Sequence, residues 1–256
     1  MDSNFLRSGE RLDDLLIGGL KIIQNEQQFC FSLDSVLLAH FATVRPGAIA
    51  ADLGAGTGVL GLLLAARGAG QVTGVELSAY MAEMAERSIK LNGLHDRLKI
   101  VNADVRESKT IFNAGQMELV VTNPPYRISG GGFISTNNDV ANAKHELTGS
   151  LEHFIAAASY LVKFRGRVAI VHLPERMAEV LKMMMNYDLE PKRLRLVYSS
   201  IHKKPKFLLV EGVRGARPGL DVLPPLFVYG SDGKYTKEIT DYYQNTSQGG
   251  KNSGDD

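Results

Sequence analysis

The feature that most constrains this chain is an alternation. From about residue 32 to residue 212, short apolar runs closed by glycine, proline or acidic residues are each followed by a stretch with helical caps and helical spacing. Ser32-Leu33-Asp34-Ser35 offers N-cap residues ahead of the apolar run from Val36 to Phe41, so a helix starts there. Strands are expected at residues 49–53, 71–76, 98–101, 117–122 and 167–172, and helices at 59–67, 78–92 and 150–163, with a further helix opened by Pro174. Ser78 reads as an N-cap and Gly93 as a helix stop. Strand, helix and strand in repeated order call for a mostly parallel sheet with helices on both faces. Two last runs, residues 193–198 and 207–213, are joined by the turn 199–206 and are expected to form an antiparallel edge, which brings the sheet to seven strands.

The bulk numbers bound the answer loosely. The 256 residues are 44% hydrophobic and 22% charged, an ordinary composition for one large α/β domain with small additions. The expected division is an N-terminal extension (1–30), a main domain (31–215), a C-terminal extension (216–244) and a disordered tail (245–256) of Ser, Gly, Asn, Gln and Asp. Residues 218–243, with Pro224-Pro225 and Asp232-Gly233, read as irregular. The single Cys30, between Phe29 and Phe31, reads as an apolar filler and fits a reducing compartment. The start, Met1 to Arg7, lacks the apolar stretch of a secretory signal, and no run suggests a membrane span, so a soluble cytoplasmic protein is expected. The six histidines (His40, His95, His145, His153, His172, His202) form no ligand pair at metal spacing, and no metal is expected. Met183-Met184-Met185 reads as core packing.

The first strand runs into Asp52-Leu53-Gly54-Ala55-Gly56-Thr57-Gly58. Glycines let the backbone turn sharply and approach a ligand, and in open α/β sheets the crevice lies at this end of the strands. The turn alone is weak evidence. Gly56-Thr57-Gly58-Val59-Leu60-Gly61, with Glu76 further on, also satisfies a dinucleotide pattern, so NAD binding is a rival. Two acids sharpen the reading. Glu76 ends the second strand, where a carboxylate can accept both hydroxyls of a ribose. Asp104 follows the third strand, where it can accept an adenine amino group.

The fourth strand ends in Asn123-Pro124-Pro125-Tyr126. An exocyclic amino group on a base is a poor nucleophile, because its lone pair is delocalised into the ring. The side-chain oxygen of Asn123 and the carbonyl of Pro124 are two acceptors that can hold its two N–H bonds and bring the lone pair out of conjugation. The prolines stiffen the turn, and Tyr126 offers a face for the target ring. Such a site needs no ionised base, since the methylated product is acidic and water takes its proton. The long connection 127–146 carries Gly130-Gly131-Gly132 and Phe133, a candidate wedge for an extruded base.

Together these sites resemble the motifs of class I S-adenosylmethionine-dependent methyltransferases. The resemblance implies a Rossmann-like fold with S-adenosyl-L-methionine as cofactor. It places Asp52, Gly54, Gly56 and Gly58 at the methionine end, Glu76 at the ribose, Asp104 and Val105 at the adenine, and Asn123, Pro124 and Tyr126 at the reacting amine, with Asn123 also touching the cofactor. From about Arg11 to Tyr243 the chain further resembles the bacterial tRNA adenine-N6 methyltransferases that modify the adenosine beside the anticodon of a valine tRNA. Phe31-Ser32-Leu33-Asp34-Ser35-Val36-Leu37-Leu38-Ala39, Ala143-Lys144-His145-Glu146-Leu147-Thr148, Leu208-Leu209-Val210-Glu211-Gly212 and Pro218-Gly219-Leu220 to Pro224-Pro225-Leu226 carry that likeness. By it, Asp34 lies near the methionine end of the cofactor; as a plain alternative it is an acid at a helix N-terminus.

Asn-Pro-Pro-Tyr also occurs in enzymes of guanine N2, cytosine N4 and protein glutamine, so rRNA, DNA and protein remain open acceptors, as does a non-catalytic RNA-binding role. Charge favours RNA. Residues 160–217 hold thirteen Lys and Arg against five acids, a local +8 in a chain of net +1, and Lys203-Lys204-Pro205-Lys206 is the expected phosphate contact.

Overall fold

The computed structural model describes residues 5–28, 30–126 and 149–244. The connection 127–146 with its Phe133, the segment Ala143 to Thr148 and the tail 245–256 lie outside the described residues. Strand β1 (Glu10–Asp14) and strand β2 (Lys21–Asn25) form an antiparallel hairpin of their own. The main sheet then builds from β3 (Ile49–Leu53), β4 (Gln71–Glu76), β5 (Leu98–Asn102), β6 (Met117–Thr122), β7 (Val162–His172), β8 (Leu189–Tyr198) and β9 (Pro205–Arg214). Two-residue strands β10 (Asp221–Val222) and β11 (Leu226–Phe227) complete it. The order is β10-β8-β9-β7-β6-β3-β4-β5, with β11 also on β8.

The seven expected strands are the body of this sheet, and β3 to β7 run parallel. The antiparallel strand is β9, but it is not outermost: it lies between β7 and β8. Burial explains the choice. Phe207 to Val213 is buried at every position, as a central strand must be. Along β8 buried and half-buried positions are mixed, and its outer edge takes β10 and β11. Such short edge strands close off open backbone groups. They are why residues 218–243 are less irregular than their composition suggests: two-residue strands carry no periodicity to read.

Helices α1 (Leu33–Phe41), α2 (Val59–Ala66) and α3 (Ala79–Leu91) form where they are expected; Ser32 stands at the N-cap of α1 without a side-chain cap hydrogen bond. The Ser78 hydroxyl accepts the Met81 amide, and Gly93 stops α3 at φ 66°. A short α4 (Ser108–Ile111) precedes β6, and α5 (Leu151–Leu161), α6 (Met177–Asn186) and α7 (Lys237–Gln244) come later. One apolar cluster packs α1 and α2 against one sheet face, and a second packs α5 and α6 against the other. In α6 only Met184 of the methionine run is fully buried, while Met185 is 52% exposed. Successive helical residues step about 100° around the axis, so three in a row cannot all face a core. The ring of Tyr242 on α7 stacks on His40 of α1, which ties the C-terminal segment to the helix that leads into the main sheet.

Candidate functional site

Because β3 to β7 are parallel, their carboxyl ends share one side of the sheet. Asp52, Glu76, Asn123 and His172 stand at or next to those ends. This is the crevice side of an open α/β sheet.

The glycine turn uses its own amides. Gly54 and Ala55 both donate to the Val75 carbonyl, and Gly58 donates to Ala55. Gly56 donates to Oε2 of Glu76 at 2.8 Å, and the other carboxylate oxygen accepts the Ser78 amide at 2.8 Å. Gly54, Gly56 and Gly58 all hold positive φ. A Cβ on Gly54 would sit 3.1 Å from the Phe154 ring, and one on Gly58 would sit 3.1 Å from Ala85. The turn is tight for packing as well as for conformation.

Beneath it lies Asp52, fully buried; neither carboxylate oxygen meets a donor in full hydrogen-bond geometry among the described residues, and the Gly61 amide is the one backbone group that pulls its carboxyl down. Burial, and then the nearby Glu76 charge, push its carboxyl up to about 8. Glu76 is also raised by burial, against the pull of its amide donors. A pyrophosphate needs free amides, and four in this turn are already donated. An orphaned buried acid beside them suits a cationic group instead. This weighs against the dinucleotide reading and fits the ammonium and sulfonium of S-adenosylmethionine.

Asp104 departs from the expected open acceptor. Its side chain caps the short turn that follows, accepting the Arg106 amide at 2.8 Å, and it pairs with the Arg106 guanidinium. That pairing holds its carboxyl below the usual range. An adenine amino group there has to share the carboxylate with Arg106. Val105, next along, is buried.

The Asn123 loop is held from a distance. Asp34, 3% exposed at the start of α1, accepts from the Asn123 amide nitrogen at 3.1 Å and from the Tyr126 hydroxyl at 2.7 Å. It also accepts the Ser35 amide and the Ser32 hydroxyl. Ser35 Oγ lies 3.5 Å from the same Asn123 nitrogen. With the nitrogen turned to a carboxylate, the Asn123 carbonyl oxygen points elsewhere and meets no donor among the described residues. Asp34 is thus more than a helix N-terminal acid: it sets the orientation of Asn123 and the position of Tyr126. Burial, and then the charge of Asp34, raise the Tyr126 hydroxyl, which stays a donor.

The Tyr126 ring also meets His172 edge-on, with centroids 5.3 Å apart. The Leu173 amide donates to His172 Nδ1, and burial, then the nearby Arg176 charge, lower this imidazole to about 4, so it is neutral. Arg176 reaches the Tyr126 carbonyl at 3.3 Å. Neither His172 nor Arg176 stood out in the sequence, although the position of His172 at the end of the fifth expected strand was a usable signal.

The basic half divides. Lys163, Arg167, Arg176, Arg193 and Arg195 are each paired with an acid, Arg167 and Arg193 with the buried Glu211, so their charge is already answered within the chain. Glu211, fully buried, takes Arg167, Arg193 and both donors of Thr43. The exposed Lys203, Lys204 and Lys206 meet no carboxylate among the described residues. No group of His, Cys, Asp and Glu among the described residues could hold a metal, and no helix among them is long and apolar enough to cross a membrane.

Known proteins resemble this chain in sequence and in fold. The sequence profile of the methyltransferase small domain matches residues 32–186. A tRNA1(Val) (adenine(37)-N6)-methyltransferase of Porphyromonas gingivalis is 31% identical over 227 residues, 84% of this chain and 88% of its own length. One of Aeromonas hydrophila is 28% identical over 219 residues, 84% of this chain and 87% of its own. Among solved structures, a predicted O-methyltransferase of Agrobacterium tumefaciens superposes with TM-score 0.67 at 26% identity, over 84% of this chain and 96% of that one. A 16S rRNA guanine-N2 methyltransferase of T. thermophilus, in complex with AdoMet and guanosine, gives TM-score 0.58 at 21% identity, over 82% and 52%.

Proposed function

The chain belongs to the methyltransferase small-domain family and to the tRNA1(Val) (adenine(37)-N6)-methyltransferases, and from that premise we propose that it methylates the N6 amino group of an adenine in tRNA. The observation that carries the site assignment is the orientation of Asn123, whose amide nitrogen is fixed on Asp34.

S-adenosylmethionine, when bound, supplies an electrophilic methyl group. Asp52 and the turn of Gly54, Gly56 and Gly58 would hold its methionine end, Glu76 its ribose, and Asp104 with Val105 its adenine. Asn123 Oδ1 and the Pro124 carbonyl accept the two N–H bonds of the target amine, which frees the nitrogen lone pair. Tyr126, anchored by its hydroxyl, presents a ring face to the target base. Orientation of this kind supplies most of the rate, because aligned groups replace a rare encounter. No protein base is required, and neutral His172 supports the Tyr126 ring rather than moving a proton. Residues 31–215 form the catalytic domain in this reading, with 1–30 as an N-terminal extension and 216–244 as a C-terminal extension packed on the domain.

The test is transfer of tritium from labelled S-adenosylmethionine to unmodified tRNA, with wild type and Asn123→Ala side by side, followed by nucleoside analysis. Label in N6-methyladenosine with wild type is expected, and a loss of at least about a hundredfold in the variant. Label in another nucleoside, or none in tRNA, would sink the assignment.

A further inference from the structure

Outside the cofactor crevice, an aromatic ladder and a lysine turn meet on the same side of the sheet. Tyr229 and Tyr235 face each other across a tight turn, with ring centroids 5.3 Å apart and planes within 17°. Tyr235 and Tyr243 of α7 follow at 6.1 Å and 16°. Tyr229 is 41% exposed and Tyr235 46%. A cross-strand tyrosine pair can simply brace a hairpin. That account does not explain why a third ring continues the stack, or why the rings border a cleft.

The cleft has a volume of about 360 Å³ and is lined by Asp14, Leu16, Phe31, Tyr235, Thr240 and Tyr243. It lies between the tip of the N-terminal hairpin and α7. Leu16 stands 68% exposed at its rim, with a positive φ of 56°. One oxygen of Asp14 accepts the Leu16 amide at 2.7 Å. The carboxylate disfavours a phosphate inside and can accept a base N–H. A flat ring with an N–H edge fits such a cleft; a polyanionic backbone does not.

The backbone belongs next door. The Tyr229 amide donates to the Ser199 carbonyl at 2.9 Å, so the ladder is fastened to the start of the turn that links β8 and β9. That turn holds exposed His202, Lys203 and Lys204, with Lys206 just beyond, and no acid. Because β9 is antiparallel to β7, this turn lies at the carboxyl end of β7, the same side as Asn123 and Tyr126. Phe31 links the cleft to that site. Three residues on is Asp34, which holds Asn123 and Tyr126, and three residues of chain span at most about 10 Å. Cleft and target site therefore lie a few nucleotides of single strand apart.

We propose that the ladder of Tyr229, Tyr235 and Tyr243, with its cleft, stacks a base flanking the target adenine, while Lys203, Lys204 and Lys206 hold the phosphates beside it. This rests on the reading of the protein as an RNA adenine methyltransferase, and it makes the C-terminal extension part of the substrate site. Aromatic stacking tolerates any base and lysines read only phosphate, so this surface positions the RNA rather than reading its sequence.

The test uses the full chain and a labelled anticodon stem-loop of the valine tRNA. Wild type, Tyr235→Leu, Tyr235→Phe and the triple Lys203→Ala/Lys204→Ala/Lys206→Ala variant are compared for RNA affinity across a salt series. Affinity for S-adenosylmethionine is measured on each as a check that the crevice is intact. Tyr235→Leu, which keeps apolar bulk but removes the π-face, is expected to weaken RNA binding about tenfold with an unchanged salt slope. It should raise KM for RNA and leave kcat within about twofold. Tyr235→Phe should bind as wild type. The triple variant should lower the slope of log affinity against log salt by about two. RNA binding by Tyr235→Leu equal to wild type, with transfer also equal, overturns this inference and leaves the methyltransferase reading standing. Wild type that binds and loses affinity as described, yet methylates no adenine, supports the surface and overturns the reaction instead. Wild type that binds no RNA overturns both.

Discussion

Two buried aspartates sit a short way apart in function and far apart in circumstance. Asp34 is 3% exposed and saturated: two hydroxyls, a backbone amide and a side-chain amide all donate to it. Asp52 is 0% exposed, and among the described residues neither of its carboxylate oxygens meets a donor in full hydrogen-bond geometry; only the Gly61 amide leans on it. Buried polar groups are nearly always paired, so a saturated acid is explained by the fold and an orphaned acid by something the fold expects to bind. Asp34 spends its acceptor capacity on building the amine-holding loop. Asp52 keeps its capacity for the cofactor. The same residue type thus serves scaffolding in one place and ligand recognition in the other, and the hydrogen-bond count separates the two roles.

The largest effect is expected for Asp34→Ala. It strands the Tyr126 hydroxyl and lets the Asn123 amide turn, each half-buried group losing about 1 kcal/mol of pairing. Single-turnover methyl transfer should fall about a hundredfold or more while cofactor affinity stays within about threefold. An equal loss of both would mean that Asp34 serves the cofactor rather than the loop.

Asp52→Asn should do the reverse. Cofactor affinity is expected to drop about tenfold, and the ligand-free protein should lose no stability at neutral pH, because the group replaced is a mostly protonated buried carboxyl that an amide of the same shape can stand in for. The pH dependence has a definite sign. The folded Asp52 carboxyl is raised from 3.8 to about 8, so its contribution to stability is full below about pH 4 and is lost as pH rises towards 8. Urea denaturation of the ligand-free protein should show that component in wild type and not in Asp52→Asn. At neutral pH, binding the cationic cofactor should release a proton from Asp52, read by calorimetry as a buffer-dependent heat that the variant lacks.

The smallest effect concerns the support behind Tyr126. His172 is lowered from 6.5 to about 4, so the stability it confers is present above 6.5 and is lost as pH falls through 4. His40, also lowered to about 4 by burial and by Arg67, acts in the same direction. His172→Phe should therefore flatten only part of the acid limb of stability and lower transfer by no more than a few-fold, measured by thermal unfolding between pH 4 and 7 and by kcat. A large loss of transfer would give His172 a direct part in the chemistry.

What could be read without the structure follows from local rules. The strands β3, β4 and β6 fell where apolar runs end in glycine, acid or proline, and α3 began and stopped at Ser78 and Gly93, because caps and breakers act on their immediate neighbours. The glycine turn and the Asn123 motif were legible for the same reason: each packs its chemistry into consecutive residues. The N-terminal hairpin, the edge strands β10 and β11 and helix α7 were not, since short polar elements are made by the surface they dock on.

The parallel α/β architecture and the two motifs that point to the reaction class are written into the order of residues, because periodicity and turn residues are encoded within a few positions. Which acids are spent and which are waiting is settled by how distant segments pack. That packing joined Asp34 to Asn123 and Tyr126 across 89 and 92 residues, left Asp52 without a donor in full hydrogen-bond geometry among the described residues, paired Asp104 with Arg106, and fastened a stack of three tyrosines to the turn that carries the exposed lysines. Such contacts depend on side-chain direction and burial between distant segments, and no local pattern specifies either.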